Sequence, residues 1–340
     1  MEIRAQLAQS LIIGCPGLTM DDFTGELIAQ GVGGIILFAA NYASPFQLWN
    51  LTWQLQETAR RAARPRLFIM VDQEGGSVAR LKAPFTHEHD FSSFRQSGEE
   101  DMYAYGRQIG RELTGAGINW NLAPVVDVNL WPEGIMARRS LGNDPVRTGK
   151  LAGAYIRGLR AAGCMACAKH FPGLGRTDTD THKLAVSVEL GLKELAAIEF
   201  KPFRAAIKAG VDGVLVSHAI FRALDPDRPS SLSPLVIEGL LRRKWAFEGL
   251  VLSDDLSMGA VPLPPAQAAA AAYRAGTDLL LLCRSAQHAP RVLDLLAEEY
   301  KEGIISRDRL GAGIRRIAKA KAALPGNTGY EELMKILIER

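Results

Sequence analysis

The chain has 340 residues, 47% of them hydrophobic, and its 40 Lys and Arg against 37 Asp and Glu leave a net charge of +3. That length suits one α/β barrel, the apolar share is enough for a large core, and nothing reads as disordered or low in complexity. Charges of both signs are mixed throughout, no basic stripe carries aromatics, and no apolar run reaches membrane-spanning length, so nothing supports binding to nucleic acid or membrane.

The first residues, Met1 to Gln6, lack the charged start and long apolar region of a secretory signal. Four cysteines in so long a chain suggest a reducing compartment, so a cytoplasmic location is expected. Cys164 and Cys167 have a redox or metal spacing, but no second pair accompanies them and they enter an apolar run, which favours core packing.

Apolar runs recur along the chain with amphipathic segments between them. Residues 10–14 form the first predicted strand and 33–38 the second, separated by a short helix over 21–30 that Thr19 or Asp21 caps. Leu48, Leu51, Leu55 and Ala59 recur at helical spacing over 47–63, with Arg60 and Arg61 at the C-terminal end. The third strand, 67–71, runs into Asp72-Gln73-Glu74-Gly75-Gly76. A helix over 103–116 closes on Gly115 and Gly117, and the fourth strand region spans 118–128. Asp144-Pro145 opens a helix through Leu159, and residues 165–168 form the fifth strand. A helix over 192–209 precedes the sixth strand, 213–218, and a helix over 234–244 precedes the seventh, 249–255. An Ala-rich helix over 266–275 leads to the eighth, 277–283, and helices over 286–301 and 307–323 follow.

Continuous apolar strands, without polar alternation, are what a sheet covered on both faces requires. Alternation of β and α predicts a parallel sheet, and eight repeats predict closure into a (β/α)₈ barrel. An open doubly wound sheet would usually carry a Gly-rich phosphate fingerprint after its first strand, and Gly14-Cys15-Pro16-Gly17-Leu18 is not one. The expectation is a single catalytic domain over 1–340, with C-terminal helices from about 304 onward packed on it.

The stretch from Lys169 to His182 turns sharply polar, and Pro172, Gly173 and Gly175 read as a loop. Asp180 and His182 are two apart, so a carboxylate could orient an imidazole and raise its basicity. In a barrel of this type, function sits at the C-terminal ends of the strands. Asp72 and Glu74 follow the third strand there, and Asn121 and Asp127 the fourth, with Arg138, Arg139 and Ser140 on the loop beyond. Lys169 and His170 end the fifth strand, His218 the sixth, and Asp254 and Asp255 the seventh. Taken singly, each has a plain structural role open to it. Asp127 could cap a helix or orient Asn129, His218 could be a satisfied core histidine, Asp255 could pair with a nearby base, and Arg138 could be solvated. His87-Glu88-His89 resembles a ligand pair but lacks a third ligand and reads as surface. No metal and no cofactor is expected.

A mouth rich in carboxylates, with no cofactor fingerprint, suits glycoside chemistry, which needs one carboxylate to trap an oxocarbenium-like centre and a proton donor for the leaving oxygen. Asp254 could be the first, and Glu74 is the simplest choice for the second.

Several of these segments resemble glycoside hydrolase family 3, specifically its single-domain bacterial β-N-acetylhexosaminidases. They are Lys169-His170-Phe171-Pro172-Gly173 with Asp180-Thr181-His182, Val71 to Gly76, Ala123 to Val128, Arg139 to Pro145, and Ser253 to Ala260. They occur in family order and span nearly the whole chain. The resemblance implies that Asp254 is the nucleophile of a retaining mechanism, a choice over Asp255 that strand period alone leaves open. It also implies that His182 is the general acid/base, with Asp180 as its partner, which displaces Glu74. Asp72, Arg139, Lys169 and His170 match residues that hold a terminal N-acetylglucosamine. An unperturbed histidine titrates near pH ~6.5, so it can both give and take a proton in the cytoplasm.

The implied function is exo-β-N-acetylglucosaminidase action on N-acetylglucosamine of peptidoglycan-derived muropeptides during cell-wall recycling. Three alternatives stay open: a β-glucosidase or other exo-glycosidase of the family, a phosphorylase using the same machinery, and a sugar-binding protein that has lost catalysis. Leu174, Arg176 and Leu184-Ala185-Val186, which lacks the proline often found after the histidine, depart from the family pattern, and all three fall on the histidine-bearing loop.

Overall fold

Strand β1 (Leu11–Gly14) pairs in parallel with β2 (Gly34–Leu37), and each later strand joins in chain order: β3 (Phe68–Val71), β4 (Trp120–Asn121), β5 (Met165–Phe171), β6 (Gly213–Val216) and β7 (Leu250–Ser253). The last strand, β8 (Leu280–Leu282), returns to the far side of β1, placing Leu11 opposite Leu280. The computed structural model describes residues 2–131, 133–177, 186–326 and 328–339. The sheet closes where β7 meets β8. Leu252 bridges to Leu279, the Ser253 amide donates to the Leu279 carbonyl at 3.0 Å, and the Leu281 amide donates to Ser253 Oγ at 3.1 Å. The architecture is therefore the expected α/β barrel of eight parallel strands.

Two apolar layers explain why every strand is apolar along its whole length. Ile12, Ile36, Phe68, Met70, Trp120, Met165, Leu250 and Leu281 point inward and fill the barrel. Their neighbours Leu11, Ile13, Ile35, Leu37, Ile69, Val71 and Val251 face the surrounding helices. Trp120 is fully buried, with Phe68 edge-on at 5.1 Å. A Cβ on Gly213 would stand 2.5 Å from the Trp120 ring, so only glycine lets β6 pass that side chain.

The helices keep their expected places with adjusted ends. Helix α1 (Ile3–Ala8) precedes β1, and α2 (Asp22–Gln30) takes Asp21 as its N-cap through the Thr24 amide. Ser44 caps α3 (Pro45–Arg61). Helix α4 (Glu99–Gly115) begins a turn earlier than the apolar period suggested. Glu99, Glu100 and Asp101 complement the partial positive charge of its first turn. Helix α5 (Pro145–Ala161) is capped by Asp144. The single helix expected over 192–209 is two, α6 (Leu192–Ala197) and α7 (Phe200–Lys208), because Ile198 leaves the helical region. Residues Leu235–Lys244 form the next turn of chain as a wide helix, in which the Gly239 amide reaches back five residues to Pro234. After α8 (Pro265–Ala275) and α9 (Ala289–Lys301), α10 (Arg307–Ala322) closes the end of the barrel remote from the strand C-termini. There Ile317 enters the inner core, and Lys321 Nζ lies 5.0 Å from the Phe68 ring centre and donates to Gln9 Oε1 at 2.8 Å. Helix α11 (Tyr330–Ile338) packs on α3 and α4, with Tyr330 against Phe46 and Trp49.

Two strands differ from expectation in ways that shape the mouth. The fourth is only two residues long. Beyond Asn121 the chain runs on irregularly beside β5: the Cys167 and Lys169 amides donate to the Ala123 and Pro124 carbonyls at 2.9 and 3.3 Å, and Val125 bridges to Lys169. The fifth runs on to Phe171, so Lys169 and His170 stand in the strand, and Pro172 ends it. Cys164 and Cys167 are buried, and Cys167 belongs to the barrel interior, as core packing requires.

Candidate active site

At the C-terminal ends of the strands a cavity of about 290 Å³ opens, with Asp72, Glu74, Arg80, Arg139, Lys169, His170, Asp254 and Asp255 among its walls. The strand order explains this gathering: Asp72, Lys169, His170, Asp254 and Asp255 lie at or just beyond strand ends, and Glu74, Arg80 and Arg139 come from the excursions that follow β3 and β4. Asp72 follows β3. Glu74 sits on a hairpin made by Gln73–Gly75 and Val78–Ala79. Asn121, at the end of β4, pins that hairpin by accepting from the Gln73 amide at 3.0 Å and donating to its carbonyl at 2.9 Å.

Lys169 Nζ lies 2.6 Å from Asp72 Oδ1 and 2.8 Å from Glu74 Oε1. Arg139 grips the same Glu74 with two parallel bonds, both 2.8 Å. Arg80 stands 3.5 Å from the other Asp72 oxygen. Burial opposes ionisation of Glu74, but the Arg139 and Lys169 charges hold its carboxyl well below the usual range. Burial likewise opposes ionisation of Asp72, which Lys169 and Arg80 keep low. Burial would lower the Lys169 ammonium, yet Asp72 and Glu74 raise it. Glu74 is thus an ionised brace between two cations and cannot carry the proton that the simplest sequence reading gave it.

His170 Nδ1 donates to Asp127 Oδ2 at 2.8 Å, and Asp127 also accepts from the backbone amides of His170 at 3.2 Å and Leu174 at 2.8 Å. Arg139 Nη2 lies 3.3 Å from His170 Nε2, and a guanidinium only donates, so the geometry sets the imidazole proton on Nδ1. Asp127 therefore neither caps a helix nor orients Asn129. It fixes His170. The Lys169–His170 and Phe171–Pro172 peptide bonds are cis.

Asp254 and Asp255 follow β7 and are distinguished by what they hold. Asp255 Oδ1 accepts from the Ser257 amide at 3.2 Å, the Ser257 hydroxyl at 2.9 Å and the Cys283 amide at 3.2 Å. The buried His218 donates from Nε2 to the Asp255 carbonyl at 2.9 Å, with Ser231 Oγ 2.7 Å from its Nδ1, so its role is to steady this turn. Asp254 Oδ1 accepts from the Asp255 amide at 2.8 Å, and among the described residues no cation lies within ion-pair distance of its carboxylate.

Arg138 is largely exposed, as the solvated reading expects, and pairs with Asp90 at the surface. His87 Nδ1 lies 2.8 Å from the Phe85 carbonyl and His89 packs edge-on against Phe94. Asp180 and His182 lie outside the described residues. The stretch leading to them is anchored: Arg176 Nε donates to the buried Glu199 at 2.7 Å, Leu174 is buried, and the Leu130 amide donates to the Gly175 carbonyl at 3.1 Å. A Cβ on Gly175 would stand 1.7 Å from the Val128 carbonyl, which only glycine avoids. Sequence reading missed Arg80 and Arg284 as cavity residues. Arg80 lies on a hairpin that no strand period announces, and Arg284 directly follows the eighth predicted strand, where the strand-end rule points.

The model of the Glycosyl hydrolase family 3 N terminal domain matches residues 3–320, and the chain belongs to that family. It is a glycoside hydrolase. A Beta-hexosaminidase of Methylococcus capsulatus is 34% identical over 79% of this chain and 81% of its own length. A solved family 3 beta-N-acetylglucosaminidase from Paenibacillus sp. str. FPU-7 superposes with a TM-score of 0.91 at 32% identity, over 99% of this chain and 68% of that one. A fungal multi-domain GH3 beta-N-acetylglucosaminidase gives 0.93 at 30% identity over 99% of this chain, which spans 41% of the fungal chain. Among the described residues no helix is long and apolar enough to cross a membrane.

Proposed function

We propose that this chain is a β-hexosaminidase, acting as a retaining exo-β-N-acetylglucosaminidase on peptidoglycan-derived muropeptides in the cytoplasm. Its catalytic unit is one barrel domain over 1–340, with the helices beyond 304 packed on it. The observation that carries the reading is the cavity itself. Asp254 offers a carboxylate without a cationic partner among the described residues, opposite a cage of Asp72, Glu74, Lys169, Arg139 and His170. The 34%-identical relative named Beta-hexosaminidase supports the substrate class.

In this reading Asp72, Lys169, Arg139 and His170 hold the hydroxyls of the terminal sugar. An Asp254 carboxylate oxygen attacks the anomeric carbon as the glycosidic oxygen leaves with a proton from His182, which Asp180 orients. The resulting glycosyl ester is opened by water, whose proton returns to His182. Overall the glycosidic C–O bond and one O–H bond of water are exchanged for a hemiacetal C–O bond and the O–H bond of the leaving alcohol, with two inversions giving retention.

The test is hydrolysis of p-nitrophenyl N-acetyl-β-glucosaminide followed by NMR, beside the corresponding glucoside. β-N-acetylglucosamine as the first product supports retention. A preference for the glucoside would make the chain a β-glucosidase, and a glycosyl phosphate formed in phosphate buffer would make it a phosphorylase. His182→Ala is expected to lose less on the aryl glycoside than on a disaccharide, because nitrophenolate needs little acid help. Equal losses would remove His182 from the acid role.

A further inference from the structure

The cavity's four basic residues are not equivalent. Lys169, Arg139 and Arg80 are each paired with Asp72 or Glu74. Arg284, two residues beyond β8, is exposed and forms no ion pair among the described residues. It also lines a second hollow of about 200 Å³, walled by the β1 end at Gly14-Cys15-Pro16, by Phe23 and Thr24 of α2, and by Gln287. Arg284 and Cys283 are thus the wall shared between the cavity and this side pocket, which lies over the mouth between the adjacent strands β1 and β8. The one carboxylate of the side pocket, Asp21, is occupied in capping α2 through the Thr24 amide at 2.9 Å.

We propose that Arg284 is a specificity-determining residue that reads a free carboxylate on the leaving group, with the side pocket receiving the short substituent that bears it. The inference rests on the glycosidase reading above. The retained sugar is held by side chains already engaged in ion pairs, Lys169, Arg139 and Arg80 against Asp72 and Glu74. A leaving group must lie at the rim, where it meets the unpaired negative charge of Asp254. An anionic leaving group approaching that charge is repelled unless a cation compensates, and Arg284 is the rim cation with a planar fork suited to a carboxylate. The side pocket's apolar and small walls, with Thr24 and Gln287 as polar points, fit a short substituent such as an acidic ether. They do not call for a second charged group.

The experiment compares two disaccharides, N-acetylglucosamine linked to anhydro-muramic acid and the methyl ester of the same compound, in the wild type, Arg284→Ala and Arg284→Lys. The wild type is expected to favour the free acid in kcat/KM by about tenfold to a hundredfold, mostly through KM. Arg284→Ala erases that ratio and Arg284→Lys restores part of it. A ratio unchanged in Arg284→Ala overturns the proposal. So does an equal loss on acid and ester, which would mean that Arg284 acts on Asp254 instead. Calorimetric titration of Asp254→Ala, with and without Arg284→Ala, reads the same acid-over-ester preference without turnover. A wild type inert toward every glycoside therefore defeats the glycosidase reading while the Arg284 comparison is still decided.

Discussion

Asp127 holds His170 twice, through the imidazole Nδ1 at 2.8 Å and through the backbone amide at 3.2 Å, and so fixes both the ring and the strand that carries it. Asp127→Asn keeps the shape but weakens a charge-assisted bond, and its amide can present the wrong face to the ring. The expected result is a KM for the aryl N-acetylglucosaminide raised by about tenfold, with a smaller change in kcat. Asp127→Ala goes further, leaving the buried His170 and Leu174 amides without their acceptor. A loss of about 2–4 kcal/mol, read as a lower melting temperature, is expected.

Glu74 is the hinge of the charge network, and replacing it with glutamine leaves Lys169 and Arg139 under-compensated. Activity should fall through KM, with stability at neutral pH lower by about 3–5 kcal/mol. The pH dependence has a defined sign. Glu74 and Asp72 have folded-state carboxyls held below their unfolded values, so they stabilise the fold above the unfolded pKa of about 4.3 and 3.9. That contribution is lost as pH falls toward the lowered folded values. Melting curves from pH 7 to pH 3 should therefore fall less steeply for Glu74→Gln than for the wild type.

Adjacent aspartates should respond oppositely to the same substitution. Asp255→Asn retains an acceptor oxygen for Ser257 and Cys283, so a rate within about fivefold of the wild type is expected. Asp254→Asn removes the proposed nucleophile, and kcat should drop by on the order of 10³-fold or more. Reversed sensitivities would move the nucleophile to Asp255.

Lys321, at the closed end of the barrel, has its ammonium pushed down to about 7 by burial. The unfolded chain binds this proton up to about pH 10.4, so between pH 7 and that value the unfolded state carries more protons and stability rises with pH. Below pH 7 the full cost of the buried charge applies. Lys321→Met removes that cost but leaves the buried Gln9 Oε1 without its donor, so the gain near neutrality is at most about 3 kcal/mol, and the advantage over the wild type shrinks toward pH 10.

Much of this was legible in the sequence because a strand covered on both faces has to be apolar throughout, and runs such as 67–71 and 249–255 have no other simple reading. Placing polar residues at strand ends then located Asp72, Lys169, His170 and Asp254 around one cavity. Pairings could not be read the same way. Arg139 meets Glu74 across 65 positions, and Asp127 meets His170 across 43, so only the closed barrel brings them together. Local periodicity also misjudged strand ends. The polar Lys169 and His170 read as loop but lie in β5, while the apolar stretch after Asn121 stays hydrogen-bonded to its neighbours as far as Val126 but too irregularly to lengthen β4.

The seam between β7 and β8 is laced in part by a side chain, since the Leu281 amide finds its acceptor in the Ser253 hydroxyl. Ser253 is also the residue directly before Asp254. Closing the cylinder and setting the backbone that carries the proposed nucleophile therefore share one residue, whose amide and hydroxyl both bond across the seam. A substitution at position 253 would be felt as a gap in the wall and as a misdirected carboxylate at once, so the freedom of that position to vary is limited by turnover as much as by folding.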